Sequence, residues 1–301
     1  LAKESDPSQT VVFDHLERSH TTDTRTNASG IMEASSKVVT VDTLGMSTTL
    51  TFAVCYADVS GYSNDTTWAD SGIRLTVSKV TSVEYGEGHS SLPVRTWRST
   101  NIMAATNRLP QVANAQITYV GDLENANWIS VVDASANNYN PCVSGADAAH
   151  DASSSYSGAV QAGAGSKAVT IPQSTLLQDN ITYAVCYASG YGNSSDTTWR
   201  DSYVRVRISK IETITAHMVT HRTDGQIARV GGTYQSWDGS AYQTVDVDDL
   251  ELTYSGSLAN SSWVSLVDQT LNVMSHGTVS GAPFPCDAGS VAASDAGAAY
   301  S

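Results

Sequence analysis

Hydrophobic and polar residues alternate along two long stretches of the chain, and the two stretches are near-copies. TFAVCYADVSGYSNDTTWADSGIRLTVSKV, residues 51–80, returns without a gap as TYAVCYASGYGNSSDTTWRDSYVRVRISKI, residues 182–211. A match of this length means internal duplication. Each copy predicts two strands joined by a polar loop. In the first strand Phe52, Val54 and Tyr56 share one face, and Ala53, Cys55 and Ala57 the other. In the second, Ile73, Leu75 and Val77 alternate with Arg74, Thr76 and Ser78, as Val204, Val206 and Ile208 alternate with Arg205, Arg207 and Ser209. Such a period of two marks a strand with one buried face.

A second block is also used twice. QITYVGDLENANWISVVD, residues 116–133, matches ELTYSGSLANSSWVSLVD, residues 251–268, and each is followed by a Pro-Cys pair, at Cys142 and at Cys286. Only residues 116–211 hold the whole cycle, about the length of one immunoglobulin-like sandwich. The expected fold class is all-β, built of tandem immunoglobulin-like β-sandwich repeats. Residues 1–30 read as an N-terminal arm, and 31–114 as an incomplete sandwich half with a connector. Residues 115–212 read as the complete sandwich and 213–250 as a second connector. Residues 251–301 read as a half completed by the next unit.

The four cysteines follow the same logic. Cys142 and Cys186 lie in the complete cycle, and their separation suits a disulfide across two sheets. Cys55 stands in a second half with no Cys before it, and Cys286 in a first half that ends soon after. The expected pairing of these two is between successive units. With no CxxC pair and no His at ligand spacing, the cysteines do not read as a zinc site. An even count in a secreted-looking chain favours disulfides.

Composition narrows the function. Thirty acidic residues against sixteen basic give a net charge of −14. That disfavours nucleic acid and anionic membrane surfaces as partners, since both need a basic face. No apolar run is long enough to insert in a membrane. The chain begins at Leu1 without a basic-then-apolar leader, and the expectation is a processed chain whose signal peptide is not in view. Crowding with Ser, Thr, Ala, Gly and Val matches an extracellular or cell-surface protein.

Several groups of residues invite a chemical reading. No GxSxG is present, and no Ser is singled out as a nucleophile. His217 and His221 are four apart, but IETITAHMVTH reads as a strand, which would hold them about 13 Å apart on one face. The acidic run of Asp246, Asp248, Asp249 and Glu251 is the one calcium candidate, because Ca²⁺ takes six to eight oxygens. A solvated edge that discourages sideways strand pairing explains the same residues. The repeated Trp68-x-Asp70-Ser71 and Trp199-x-Asp201-Ser202 read as structural, with the Trp packing and the Asp holding turn N–H groups. N-glycosylation sequons stand at Asn27, Asn64, Asn180, Asn193 and Asn260. Asn64 and Asn193 fall in the loop between the repeated strands, where a glycan disturbs neither sheet.

The tandem AVCYA, TTWxDS and RxxxSK elements resemble those of repeat glycoproteins from protist and algal surface fibres, of the mastigoneme or glycofibril type. The resemblance covers most of residues 31–301. It differs from antibody domains, where a Trp lies between the two cysteines; here Trp128 precedes Cys142 and Trp199 follows Cys186. It implies a structural, glycosylated, extracellular filament. The complementary half-cycles in 31–80 and 251–301 add the expectation that its partner is itself, assembled head to tail, without catalysis or a cofactor. A calcium- or glycan-binding adhesion module is the alternative, and a secreted hydrolase a more distant one.

Overall fold

A computed structural model describes residues 29–86, 95–98, 107–172, 177–231, 233–246, 248–271, 285–287 and 289–295. The chain forms two compact units, Leu1–Lys79 and Val80–Ser301. In the first, β1 (Thr51–Tyr56) and β2 (Ala69–Thr76) pair as an antiparallel hairpin, with Phe52 opposite Leu75 and Cys55 opposite Asp70. The register slips between Ala53 and Cys55.

Among the described residues of the second unit, nine strands make two large sheets: β3 (Val80–Tyr85), β4 (Arg95–Arg98), β5 (Arg108–Pro110), β6 (Ala115–Gly121), β7 (Trp128–Asp133), β8 (Val160–Gln161), β9 (Ala168–Ile171), β10 (Thr182–Ala188) and β11 (Arg200–Ser209). They form a four-stranded sheet, β4-β3-β6-β9, and a five-stranded sheet, β5-β11-β10-β7-β8. The pairings are antiparallel except for β5, which runs parallel to β11. Val83, Ile117, Tyr119, Val169 and Ile171 from one sheet share a core with Val131, Tyr183, Val185, Tyr187, Val204 and Val206 from the other. These are the alternate positions of each strand, so the pleat turns one side of both sheets inward. The result is a β-sandwich, and the chain is mostly β-sheet with a few short helices.

The disulfide lies elsewhere than expected. Cys142 and Cys186 are bonded, with Cα atoms 5.4 Å apart, but on the outer face of the five-stranded sheet and not between the sheets. There Ala184, Cys186 and Ala188 of β10 pack with Val132, Cys142, Ala148 and Trp199 in a second cluster. The loop that follows β7 folds back over the sheet and is stapled to it. Strand β10 is therefore buried on both faces. Its large residues point to the main core and its small ones to this cap, because only small side chains leave the loop room to approach.

The sandwich also begins earlier than residue 115. β3 pairs with β6, and β5 pairs with β11, so 80–85 and 108–110 belong to it. The strand after each repeated hairpin leaves that hairpin's sheet and opens the next one. The same happens after β11. One residue, Lys210, separates it from β12 (Ile211–Ala216), which pairs with β16 (Thr253–Gly256) and with β13 (Val219–His221). Ile211 lies opposite Gly256 and Ile214 opposite Tyr254, as Val80 lies opposite Gly121 and Val83 opposite Tyr119, with a register shift at the same place. The expected connector over 213–250 thus contains strands, among them the hairpin of β14 (Thr233–Trp237) and β15 (Tyr242–Asp246). His217 and His221 do not share a strand: His217 and Met218, at φ 49° and 62°, form the tight turn between β12 and β13.

Candidate functional site

The two copies of the hairpin have one backbone and two environments. β1–β2 and β10–β11 pair in the same register with the same irregularity, Cys55 opposite Asp70 and Cys186 opposite Asp201. The loops are held alike. Trp68 Nε1 donates to the Tyr62 carbonyl at 3.0 Å, and Trp199 Nε1 to the equivalent Asn193 carbonyl at 3.1 Å. Asp65 accepts hydrogen bonds from the Gly61 and Thr67 N–H groups and from the Thr67 hydroxyl. Asp196 accepts the matching set from Gly192 and Thr198. Hence the side chain and N–H of Thr67, with the Ser60 and Gly61 N–H groups, hold the Asp65 carboxyl well below the usual carboxylate range. For Asp196, burial pushes the pKa up, but the Thr198 and Gly192 hydrogen bonds outweigh it and the net shift is downward.

Asp70 and Asp201 hold turn N–H groups, those of Gly72 and Tyr203. Each also forms a forked ion pair with the Arg four residues on, Arg74 and Arg205. The Arg74 hydrogen bonds bring the Asp70 pKa down to about 2. Sequence reasoning missed Asp65 and Asp196, although their shared place before Thr-Thr-Trp in both copies was the available signal. Gly61, where the sequence reads a turn, and its counterpart Gly192, which the sequence reasoning did not single out, stand at φ 66° and 65°, a left-handed conformation in which glycine carries no Cβ penalty.

Burial separates the copies. In the sandwich Tyr187 and Trp199 are each 1% exposed, and Val204 and Val206 are fully buried. Their counterparts in the free hairpin, Tyr56, Trp68, Ile73 and Leu75, are 50%, 40%, 54% and 55% exposed. Cys186 is buried in its disulfide, whereas Cys55 is a free thiol at the surface.

The other half-cycle shows the same contrast. Tyr119 donates its hydroxyl to the Glu124 carbonyl at 2.6 Å, and Tyr254 to the Ala259 carbonyl at 2.9 Å. Ala126 and Ser261 both take a left-handed φ, 59° and 65°. The two copies then part. Trp128 lies on β7 against Gly192, so closely that a Cβ on the glycine would meet the indole ring. Trp263, its counterpart, is 97% exposed, and residues 263–268 lie outside the named strands. The cysteine segments agree locally as well. A short helix, Gly145–Ala148, follows Cys142, and another, Gly289–Ala292, follows Cys286 at the same distance. Cys286 is a free, exposed thiol.

The remaining candidates are dispersed. Asn64, Asn180, Asn193 and Asn260 are exposed, and Asn27 lies outside the described residues. Asp246 ends β15, and Asp248, Asp249 and Glu251 follow as exposed residues. Among the described residues no group of three or more His, Cys, Asp or Glu side chains converges as a metal site. An open cleft lies beside Asp133, Ser135, Tyr139 and Asn180, where Asp133 accepts both the Ser135 N–H at 2.8 Å and its hydroxyl at 2.7 Å, as in a local turn. No helix among the described residues is long and apolar enough to cross a membrane. No family model, curated protein or solved structure matches this chain.

Proposed function

We propose that the chain is a structural subunit of an extracellular, glycosylated filament, built of tandem immunoglobulin-like sandwiches and assembled head to tail with copies of itself. The observation that carries this reading is the exposure of Tyr56, Trp68, Ile73 and Leu75 on a hairpin whose duplicate buries the same four positions. A hairpin alone is marginally stable in water, and its apolar face calls for a cover. The residues that cover β10–β11 recur in sequence after β12, in 251–268 and around Cys286. One copy therefore carries the surface and another the cover, and a contact of this head-to-tail kind that does not close on itself makes a filament. Each large side chain moved from water into such a joint contributes about 1.5–3 kcal/mol.

Glycans fit the same reading. The sandwich leaves exposed both Ser195, the counterpart of Asn64, and Asn125, the counterpart of Asn260. Sugars on Asn64 and Asn260 would thus stay outside a joint built like the sandwich. Electron microscopy of the purified chain, with glycopeptide mapping of the native material, tests the proposal. Filaments with a regular sandwich-sized repeat and occupied sequons are expected. A monodisperse particle that instead binds calcium or a free glycan would replace the filament with the adhesion reading.

A further inference from the structure

The proposed joint has a template inside the chain, and we infer from it that Cys286 of one copy forms a disulfide with Cys55 of a second copy, beside a seat on Gly61 taken by Trp263. This rests on the head-to-tail reading and specifies its chemistry.

The template has three parts. First, β7 pairs with β10 so that Ser130 faces Cys186 and Trp128 faces Ala188. Carried to the equivalent positions, Ser265 of one copy faces Cys55 of the next, and Trp263 faces Ala57. Second, Trp128 covers the backbone of Gly192. Gly61 has the same φ, and its cover within its own unit is Ile31, whose Cγ2 lies 3.3 Å from where a Cβ would stand. Ile31 is smaller than an indole and only half-buried. It is a placeholder that Trp263 displaces. Third, Cys142 reaches Cys186 from a segment that continues into the helix Gly145–Ala148, and Cys286 is presented ahead of the matching helix Gly289–Ala292. The hydrogen bond from Ala149 N to the Gly145 carbonyl, 2.9 Å, is repeated from Ala293 N to the Gly289 carbonyl at 2.9 Å. Both halves of a disulfide site are therefore present in the local form that already makes one, and both thiols are exposed.

The step is an oxidation by thiol–disulfide exchange. The S–H bonds of Cys55 and Cys286 break and one S–S bond forms. The two protons and two electrons pass to the disulfide of a small-molecule or protein oxidant, which leaves as two thiols.

The test uses unlabelled and heavy-nitrogen chains of the full sequence, mixed, and then oxidised with glutathione disulfide. Peptide mapping without reductant is expected to find Cys55–Cys286 pairs of mixed isotope, alongside an intact Cys142–Cys186 pair. Gels are expected to show a ladder that collapses on reduction and is absent for Cys286→Ser. Trp263→Ala should slow the crosslink at least tenfold, and Ile31→Ala should speed it. Free or glutathionylated thiols, or pairs of one isotope only, overturn the inference. Sedimentation of Cys286→Ser separates the two levels. If that variant assembles while wild-type chains stay uncrosslinked, the lock is wrong and the filament reading stands; if neither assembles, both fall.

Discussion

The indole of Trp128 rests on the backbone of Gly192, leaving no room for a Cβ there. This contact ties the first half of the sandwich cycle to the second, because Trp128 opens β7 and Gly192 sits in the loop that joins β10 to β11. Gly192→Ala combines a clash with a strained left-handed φ. We expect it to cost about 2–4 kcal/mol, since positive-φ strain and overpacking each cost on the order of 1–3 kcal/mol. In a Trp128→Ala background the cost should fall to the backbone part alone. Urea unfolding of the four chains in this cycle measures the difference, and strict additivity would contradict the contact.

The Cys142–Cys186 bond closes a 44-residue separation and staples the cap over β10. Replacing both residues by Ala should remove about 3–4 kcal/mol by the loop-entropy argument. The cap should open before the core, because Ala184, Ala188 and Trp199 belong to the capped cluster while Tyr183 and Val185 belong to the other. Limited proteolysis should cut first between residues 134 and 159. An unchanged urea midpoint with an uncut cap would refute this.

Asp196 gives the sandwich a defined acid sensitivity. Its folded pKa lies below the ordinary 3.8, so its contribution is complete above that value and is lost as pH falls through the folded pKa. Asp196→Asn should destabilise the protein at neutral pH by about 1–3 kcal/mol, the range for a charge-assisted hydrogen bond lost from a buried loop. The gap between variant and wild type should narrow as pH falls from about 4, where the unfolded chain takes up the proton, through the folded pKa, below which both side chains are neutral. Thermal melts at neutral and acid pH provide the check, and a gap that widens toward low pH would oppose the assignment.

Arg222 is 4% exposed, with its guanidinium 5.5 Å from the Tyr85 ring centre and a hydrogen bond of 3.3 Å to the Gly86 carbonyl. It joins the end of β3 to the chain just beyond β13. Arg222→Ala should loosen β12 and β13 while leaving the two-sheet core in place. Hydrogen exchange should therefore rise in 211–221 and stay unchanged in β10. Equal acceleration in both would show that the two regions unfold as one.

The sequence made the strand faces legible and left their covers obscure. Alternation separated Tyr183, Val185 and Tyr187 from Ala184, Cys186 and Ala188, and the structure places them on opposite faces of β10. Nothing in a period of two says that both faces are buried. The cystine was therefore expected between the sheets, although small residues flanking a Cys fit a loop lying close on the outer face. The repeat itself was plain, yet its borders were not. Val80 and Ile211 fall one residue out of phase with the alternation before them, after Lys79 and Lys210, and that slip is the only mark the change of sheet leaves in residue type. Trp263 reads like Trp128, and only the structure shows one exposed and the other packed.

The central claim is that β1 receives from a second copy the pairing that β10 receives from β7. Amide hydrogen exchange of the full chain, followed from nanomolar to high micromolar concentration, reads that pairing directly. The account predicts that protection of residues 51–56 rises with concentration toward that of residues 182–188, and that protection of 263–268 rises in step. If residues 51–56 exchange at one rapid rate at every concentration while 182–188 stay protected, the two halves do not join and the account is contradicted.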